Sequence, residues 1–255
     1  MPMPLPIVFL HGFLGSAASF ASVRALLPVG HPTVSPGLFG HRGQPELLPN
    51  HTFEAELDRL LGVIQGHFNA SPTHLVGYSL GGRLALALLL KAPRQFQSAT
   101  LISARRGLDD PLARATRLEQ DSKWASMLQT MPLSQFLDAW ERQPLFATQR
   151  QLAPHVLAQL REQRLMHNPS ALAQAMTTLS LAHMPSFQGT LDIRCPVTLM
   201  VGDQDPKFCA LAAELAEQIH KRRTIVVSGA GHNLPLEKPE SVTAAISEEI
   251  DHVER

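Results

Sequence analysis

Five short runs of consecutive apolar residues, separated by helical patterns, constrain the fold of this chain more than any other feature. The runs end in glycine or polar turns and are PIVFL (6–10), THLVG (73–77), SATLIS (98–103), VTLMVG (197–202) and TIVVS (224–228). Because none of them alternates between apolar and polar residues, each predicts a strand buried on both faces, as in a parallel sheet. Helical periodicity lies between several of them, at 52–68, 80–91, 208–221 and 240–253. This alternation predicts an α/β fold with a doubly wound, mostly parallel sheet.

The alternation stops between residues 105 and 183, where only helical periodicity is found. The helices predicted there span about 111–128, 133–142, 149–164 and 169–182. Since they are inserted between two core strands, they predict a helical cap over the carboxyl edge of the sheet, where ligands bind in open α/β sheets. The predicted organisation is a core in two segments, 1–104 and 184–255, interrupted by a cap at 105–183.

Composition and charge exclude several functional classes. The 255 residues are 44% apolar and 17% charged, with a formal net charge of +0. Such a chain has no long-range field that attracts nucleic acid or an anionic membrane, and we expect neither as a partner. The longest apolar run, LALALLL (84–90), is far shorter than the roughly 20 residues of a membrane span. The first residues show no basic region, so we expect no signal peptide and a cytoplasmic location.

Metal and cofactor motifs are not found in the sequence. The two cysteines, Cys195 and Cys209, lack the spacing of a zinc site or a disulfide framework. The glycines of GLFGHRG (37–43) have neither the dinucleotide-binding nor the P-loop spacing. We therefore expect no cofactor.

The stretch VGYSLGG (76–82) places a serine between a predicted strand and a predicted helix. A Gly-x-Ser-x-Gly pattern at such a junction is typical of a nucleophile elbow, a strained turn that holds the hydroxyl clear of the sheet. Gly77 and Gly81 have no Cβ, so strand and helix can pack closely beside Ser79. The alternative is a serine in an ordinary glycine-rich turn, but the flanking elements favour Ser79 as a reactive group.

A serine hydroxyl reacts only with a base beside it, and that base is oriented by an acid. His232 follows the last predicted strand, which delivers it to the carboxyl edge of the sheet. Asp203 and Asp205 follow the preceding strand, and either could be the acid. Asp205 precedes Pro206 and could instead cap a helix. The chain order Ser–Asp–His predicts a triad that includes one of the two aspartates.

Backbone N–H groups that could stabilise a developing negative charge are predicted at two places. One is the N–H of Leu80, directly after the serine, and the other is that of Phe13 in HGFLG (11–15), after the first predicted strand. Together they form a predicted oxyanion hole. The alternative for the His-Gly pair is a plain tight turn.

Several of these segments together resemble known families. FLHGF, VGYSLGG, VGDQDP and GAGHN resemble the α/β-hydrolase superfamily. RATRLEQDSKWA (114–125), FLDAWERQPLFA (136–147) and GDQDPKFCALAAEL (202–215) extend the resemblance over most of the chain, to the 2-succinyl-6-hydroxy-2,4-cyclohexadiene-1-carboxylate synthases of menaquinone biosynthesis. The resemblance implies an α/β-hydrolase fold and a lyase that removes pyruvate from a succinylated cyclohexene carboxylate, without hydrolysis.

The resemblance also implies roles for individual residues. Ser79, Asp205 and His232 would act together as the base that takes a proton from the substrate, and Phe13 and Leu80 would hold the enolate-like charge. The expected partner is a small polycarboxylate. The residues implied to bind it are Tyr78, Arg83, Arg117, Trp140, Phe146 and Arg161.

Arginines suit a polycarboxylate because their planar fork binds carboxylates bidentately. Arg83 lies one helical turn beyond the serine and therefore on the same side of its helix. Arg117 and Arg161 could instead be solvated helix charges, and Trp140 and Phe146 could be cap core. A carboxylesterase or thioesterase with the same triad is the alternative function, and a non-catalytic receptor with this fold is a third.

Two segments depart from the family pattern. SARRG (103–107) replaces a glycine-rich stretch, and PGLFGHRGQ (36–44) is longer than the common version. Arg105 and Arg106 either add positive charge at the pocket mouth or lie in solvent. The sequence leaves this open, together with the oligomeric state and the mobility of the cap.

Overall fold

The computed structural model describes residues 4–44, 50–187 and 189–254. The predicted core segments also include positions 1–3, 45–49, 188 and 255, which lie outside the described residues. Within the described ranges, no helix is long and apolar enough to cross a membrane.

A six-stranded sheet forms the centre of the molecule, with strand order β2-β1-β3-β4-β5-β6. Its strands are β1 (Ile7–Leu10), β2 (Thr33–Val34), β3 (Thr73–Tyr78), β4 (Phe96–Ile102), β5 (Val197–Gly202) and β6 (Arg222–Val227). Every pairing is parallel, so all carboxyl ends meet at one edge. The predicted α/β fold is confirmed, and all five predicted strands are present. The sixth, β2, has too few residues to produce an apolar run.

Ten α-helices are present in the described residues. They are α1 (Ala21–Leu26), α2 (Phe53–Phe68), α3 (Leu80–Lys91), α4 (Pro111–Thr130), α5 (Leu133–Glu141), α6 (Pro154–Leu165), α7 (Pro169–Thr178), α8 (Pro206–Gln218), α9 (Leu234–Glu237) and α10 (Pro239–Glu254). The four predicted core helices correspond to α2, α3, α8 and α10. The short helices α1 and α9 are additional to the prediction.

Two apolar clusters cover the two faces of the sheet. One joins it to α2, α3 and α8, and the other joins it to α1, α9 and α10. The strands β1, β3 and β5 are buried along their whole length, as their continuous apolar runs predict. The same prediction is wrong for β6, which is largely exposed because it lies at the edge of the sheet. Burial of both faces holds the carboxyl edge of the central strands in a fixed geometry.

The segment between β4 and β5 is helical, with α4 to α7 and two short 3₁₀ helices in its described residues. Asp110 and Asn168 cap α4 and α7 by accepting backbone N–H groups, and each is followed by a proline at the first helical position. Helices α4, α5 and α7 share an apolar cluster, which Leu14 of the first core segment also joins. The division into 1–104, 105–183 and 184–255 stays a prediction.

Candidate active site

Ser79 occupies a strained turn between β3 and α3. Its backbone has φ 53° and ψ −108°, a region that costs a non-glycine residue about 1–3 kcal/mol. Two hydrogen bonds hold it: Ser79 N–H donates to the Ile102 carbonyl of β4 at 2.9 Å, and Arg83 N–H donates to the Ser79 carbonyl at 3.0 Å. The hydroxyl is therefore presented at the carboxyl edge by a rigid turn.

The two predicted glycines are needed for this turn on steric grounds. A Cβ added to Gly81 would lie 2.0 Å from the Leu10 carbonyl oxygen, and one added to Gly77 would lie 2.5 Å from the Gly81 carbonyl oxygen. Both distances are shorter than any tolerated contact. The close approach of β1, β3 and α3 beside the serine thus requires glycine at both positions.

The structure brings Ser79, His232 and Asp205 together in one hydrogen-bonded chain. His232 Nε2 lies 3.0 Å from Ser79 Oγ, and His232 Nδ1 lies 2.8 Å from Asp205 Oδ2. Both His232 and Asp205 are buried, with 2% and 6% of their surface exposed. Because the carboxylate can only accept, Nδ1 carries the proton and Nε2 is free to accept the serine hydroxyl.

The two candidate acids have different environments. Asp205 points one oxygen at His232 and the other at Phe208 N–H, 3.2 Å away, so it caps α8 as well. Asp203 is directed elsewhere, because its oxygens accept from Gly229 N–H at 2.8 Å and Ser228 Oγ at 3.1 Å. The two sequence interpretations of Asp205, acid and helix cap, are therefore compatible.

The loop that carries His232 is fixed by two residues that the sequence analysis missed. Glu237 accepts from Gly231 N–H at 2.7 Å and from Asn233 N–H at 3.1 Å, on either side of the histidine. Ser103 Oγ donates to the His232 carbonyl at 2.8 Å. The only sequence signal for this support is a glutamate shortly after the histidine, which alone is uninformative.

The two predicted oxyanion donors lie next to the serine. Gly12 approaches so closely that a Cβ on it would lie 3.5 Å from Ser79 Cβ and 2.7 Å from Tyr78 Cε1. This places Phe13 beside the elbow. Among the described residues, neither Phe13 N–H nor Leu80 N–H has a hydrogen-bond partner, so both remain available to a ligand.

A cavity of about 480 Å³ opens above Ser79, between the sheet edge and the cap. Seven of the predicted residues line it together with the serine and histidine: Phe13, Tyr78, Leu80, Arg83, Arg117, Trp140 and Phe146. Lining residues that the sequence analysis did not single out include Gln120, Trp124, Arg164, Lys207 and Phe208. The cavity is large enough for a small organic acid.

Positive charge is concentrated in one part of the cavity wall. Arg83, Arg105 and Arg117 line it, and Asp121 is the one carboxylate among the described lining residues. Asp121 binds Arg117 only through Nε, at 2.8 and 2.9 Å. Burial, and then the nearby charges of Arg117 and Arg105, lower the pKa of Arg83 from its ordinary value. The excess of arginines over carboxylates favours an anionic ligand here.

The structure separates the two arginines of SARRG. Arg105 lines the main cavity, whereas Arg106 donates to Asp109 and to the Phe187 carbonyl. Arg106 does not line the main cavity; both residues border a smaller one of about 250 Å³. Arg105 thus adds positive charge to the main cavity, whereas Arg106 does not.

Arg161 differs from the other predicted binding residues because it does not line the cavity. Its guanidinium donates to Asp138 at 2.7 Å, to Glu141 at 3.0 Å and to the Ser134 carbonyl at 3.1 Å, which ties α6 to α5. Arg164, three residues later, lines the cavity instead and is buried. It shares Glu141 at 2.8 Å, and its Nε has no partner in the described part of the chain.

Aromatic rings form another part of the cavity wall. The Trp140 ring lies 5.2 Å from that of Phe13, 5.1 Å from Trp124 and 5.9 Å from Phe146. Trp140 therefore serves both as cap core and as cavity wall. Tyr78 packs at 5.6 Å from the His232 ring, and burial raises the pKa of its hydroxyl. The neutral Tyr78 hydroxyl is thus a hydrogen-bond donor next to the triad.

The described residues contain no group of three or more His, Cys, Asp or Glu side chains that could hold a metal ion. The groups next to Ser79 include a histidine, an aspartate and backbone N–H groups. Such a set can generate an alkoxide-like base or nucleophile and stabilise an oxyanion.

Comparisons with known proteins identify a family and several relatives that this chain resembles. A family described as alpha/beta hydrolase fold matches residues 6–239. The 2-succinyl-6-hydroxy-2,4-cyclohexadiene-1-carboxylate synthase of Enterobacter sp. (strain 638) is 33% identical over 243 residues, which cover 95% of this chain and 90% of that protein. A putative enzyme of the same name from Bacillus subtilis (strain 168) is 30% identical, with 95% and 89% covered.

Solved structures show the same fold. MenH from S. aureus superposes with a TM-score of 0.93 at 24% identity, covering 100% of this chain and 96% of that one. A thermophilic esterase from Thermogutta terrifontis, solved with malate bound, has a TM-score of 0.81 at 26% identity, with 98% and 90% covered. The fold thus occurs in proteins of at least two activities.

Proposed function

The chain belongs to the α/β hydrolase fold family and, within it, to the 2-succinyl-6-hydroxy-2,4-cyclohexadiene-1-carboxylate synthases, and from this membership we propose how its residues act. The reaction is the elimination of pyruvate from a succinylated cyclohexene carboxylate, a lyase step in menaquinone biosynthesis. The observation that carries the proposal is the Ser79–His232–Asp205 chain beneath a cavity rich in arginines.

Ser79 acts as the base, through His232. His232 Nε2 accepts the hydroxyl proton, and the negative charge of Asp205 stabilises the imidazolium that forms. Ser79 Oγ then takes the proton from the ring carbon next to the succinyl carbonyl. Removal of this proton places negative charge on the carbonyl oxygen, as an enolate.

The enolate is held by Phe13 and Leu80, whose N–H groups have no partner within the described ranges. Its collapse forms the second ring double bond of the cyclohexadiene and breaks the carbon–oxygen bond to the enolpyruvyl group. That group leaves as the enolate of pyruvate and becomes pyruvate by taking the proton held on His232, which restores the neutral imidazole. No water is consumed, and nothing is oxidised or reduced. Loss of one such donor typically costs about 10²- to 10³-fold in rate.

The substrate carries several carboxylates, and the cavity offers separate cationic positions for them. Arg83, Arg105 and Arg117 form one group, and Arg164 lies on the cap side beside Phe146, with its guanidinium carbon 6.0 Å from the ring centroid. We assign substrate binding to these arginines and a structural role to Arg161. The malate-bound structure of the T. terrifontis esterase shows that a dicarboxylate binds a protein with this fold.

The test is release of pyruvate from the enolpyruvyl precursor, followed with a coupled lactate dehydrogenase. We expect wild-type protein to release pyruvate far faster than buffer, and Ser79→Ala to abolish the enzymatic rate. Ser71→Ala, at an exposed serine, is the matched control and keeps the wild-type rate. Fast hydrolysis of p-nitrophenyl esters without pyruvate release would instead support the carboxylesterase or thioesterase alternative. The cytoplasmic location expected from the sequence stays a prediction.

A further inference from the structure

The turn that carries the Phe13 N–H is tight and strained. It closes with a hydrogen bond from Gly15 N–H to the Gly12 carbonyl at 3.0 Å. Leu14 adopts φ 61°, which is unfavourable for a leucine. A strained backbone conformation persists only where the surrounding structure holds it, so the direction of the Phe13 N–H depends on the contacts made to the turn.

A histidine of the cap holds it. His167 lies between α6 and α7, with 6% of its surface exposed. Its Nε2 donates to the Leu14 carbonyl at 3.2 Å, and its Nδ1 accepts from Arg42 N–H at 3.0 Å. Both contacts require the neutral ring with the proton on Nε2. Burial lowers the pKa of His167, which maintains that form at neutral pH.

The turn is also packed into the cap. The Leu14 side chain, with 3% of its surface exposed, belongs to the apolar cluster of α4, α5 and α7. On the core side, His11 Nδ1 donates to the Gly12 carbonyl at 2.8 Å. The turn is therefore held at one end by the core and at the other by the cap.

We propose that His167 is a positioning residue of the oxyanion hole. Through the Leu14 carbonyl it holds the Leu14–Gly15 peptide, whose N–H binds the Gly12 carbonyl. The Phe13 N–H belongs to the same peptide as that carbonyl, so its direction toward the enolate oxygen is fixed as well. The cap then completes the catalytic site as well as covering it. This inference rests on the oxyanion hole assigned above. His167 does not line the cavity, so it acts through the turn and makes no contact with substrate.

Two substitutions of His167 each retain one of the two hydrogen bonds that its ring makes. In His167→Gln the amide group reaches approximately the Nε2 position and can still donate to Leu14. In His167→Asn the amide oxygen occupies approximately the Nδ1 position, accepts from Arg42 N–H and leaves Leu14 without a donor. Asn168→Ala is the control, because it removes the cap of α7, a bond of 3.1 Å to Ala171 N–H, and leaves the turn untouched.

We expect His167→Asn to lower kcat for pyruvate release by about ten- to hundredfold with little change in KM, since the loss lies in the transition state. His167→Gln should retain most of kcat, and Asn168→Ala should lower only the melting temperature. Equal activity of His167→Asn and Asn168→Ala, or equal loss in the His167→Asn and His167→Gln variants, would overturn the proposal.

Phosphonylation of Ser79 by a p-nitrophenyl phosphonate supplies a second readout, because it uses the same N–H groups but no natural substrate. If the rates of the variants follow the expected order while wild type releases no pyruvate, the inference stands and the proposed reaction fails. If wild type releases pyruvate and all variants are equal in both assays, the reaction stands and the inference fails. Long-range ¹H–¹⁵N spectra of wild-type protein identify which ring nitrogen of His167 carries the proton. A proton on Nδ1 would also refute the proposed positioning role of His167.

Discussion

Replacement of Asp205 by asparagine separates its catalytic role from its structural one. In the Asp205→Asn variant the amide oxygen can still accept Phe208 N–H and cap α8, because asparagine and aspartate are equivalent caps. The amide nitrogen can only donate toward His232 Nδ1, which is 2.8 Å from the carboxylate in the native protein. Donation there stabilises the tautomer with the proton on Nε2, and that tautomer cannot accept from Ser79.

The Asp205→Asn substitution should lower kcat strongly and the free energy of unfolding only slightly. The wrong tautomer costs a serine–histidine pair about 10⁴-fold in kcat, or about 5 kcal/mol in the barrier. The free energy of unfolding should change by less than about 1 kcal/mol, because the helix cap is retained. Asp205→Ala, which removes both contacts, should lose a similar rate and also lower the melting temperature by about 2–4 °C.

Steady-state kinetics of pyruvate release and thermal unfolding of the same preparations measure both quantities. Asp203→Asn is the matched control, since within the described part of the chain the Asp203 carboxylate accepts only from Gly229 N–H and Ser228 Oγ. This variant should keep kcat near the wild-type value. A nearly active Asp205→Asn variant, or an Asp203→Asn variant with the large loss, would refute the assignment of Asp205 as the acid.

Two further pairs of variants test the substrate contacts. Arg105→Gln should raise KM by about tenfold, which corresponds to the loss of one charged hydrogen bond to the substrate. Arg106→Gln is its control and should leave KM unchanged, because it loses a contact to Asp109 outside the main cavity. Equal KM values in both variants would place Arg105 outside the binding site. Arg164→Lys should raise KM because lysine lacks the planar fork of arginine. Arg161→Ala should leave KM unchanged and change the free energy of unfolding by about 0–1 kcal/mol. A raised KM in Arg161→Ala with an unchanged KM in Arg164→Lys would assign substrate binding to Arg161 instead.

Local sequence predicted most of the fold because each element carries its own signal. Continuous apolar runs identify β1, β3 and β5 as strands that are buried along their whole length, although the run of the edge strand β6 is largely exposed. The helix starts at Asp110, Asn168 and Asp205 each combine a capping side chain with a following proline. The two-residue strand β2 is not predicted from the sequence because it has no apolar run and is defined only by its pairing with β1. The resemblance to a known family, carried by short motifs, added the reaction.

The sequence by itself determined the elbow, the chain order of the triad and the supply of arginines, since these depend on neighbours along the chain. Only the tertiary structure decided which arginine reaches the cavity. Arg161 and Arg164 lie about 60° apart around α6, and both bind Glu141. Arg161 also binds Asp138 at the surface, whereas Arg164 is buried and lines the cavity. The proposed role of His167 could not be predicted from the sequence for the same reason. Its contact with Leu14 joins residues that are far apart in the chain, and this contact forms only when cap and core pack together.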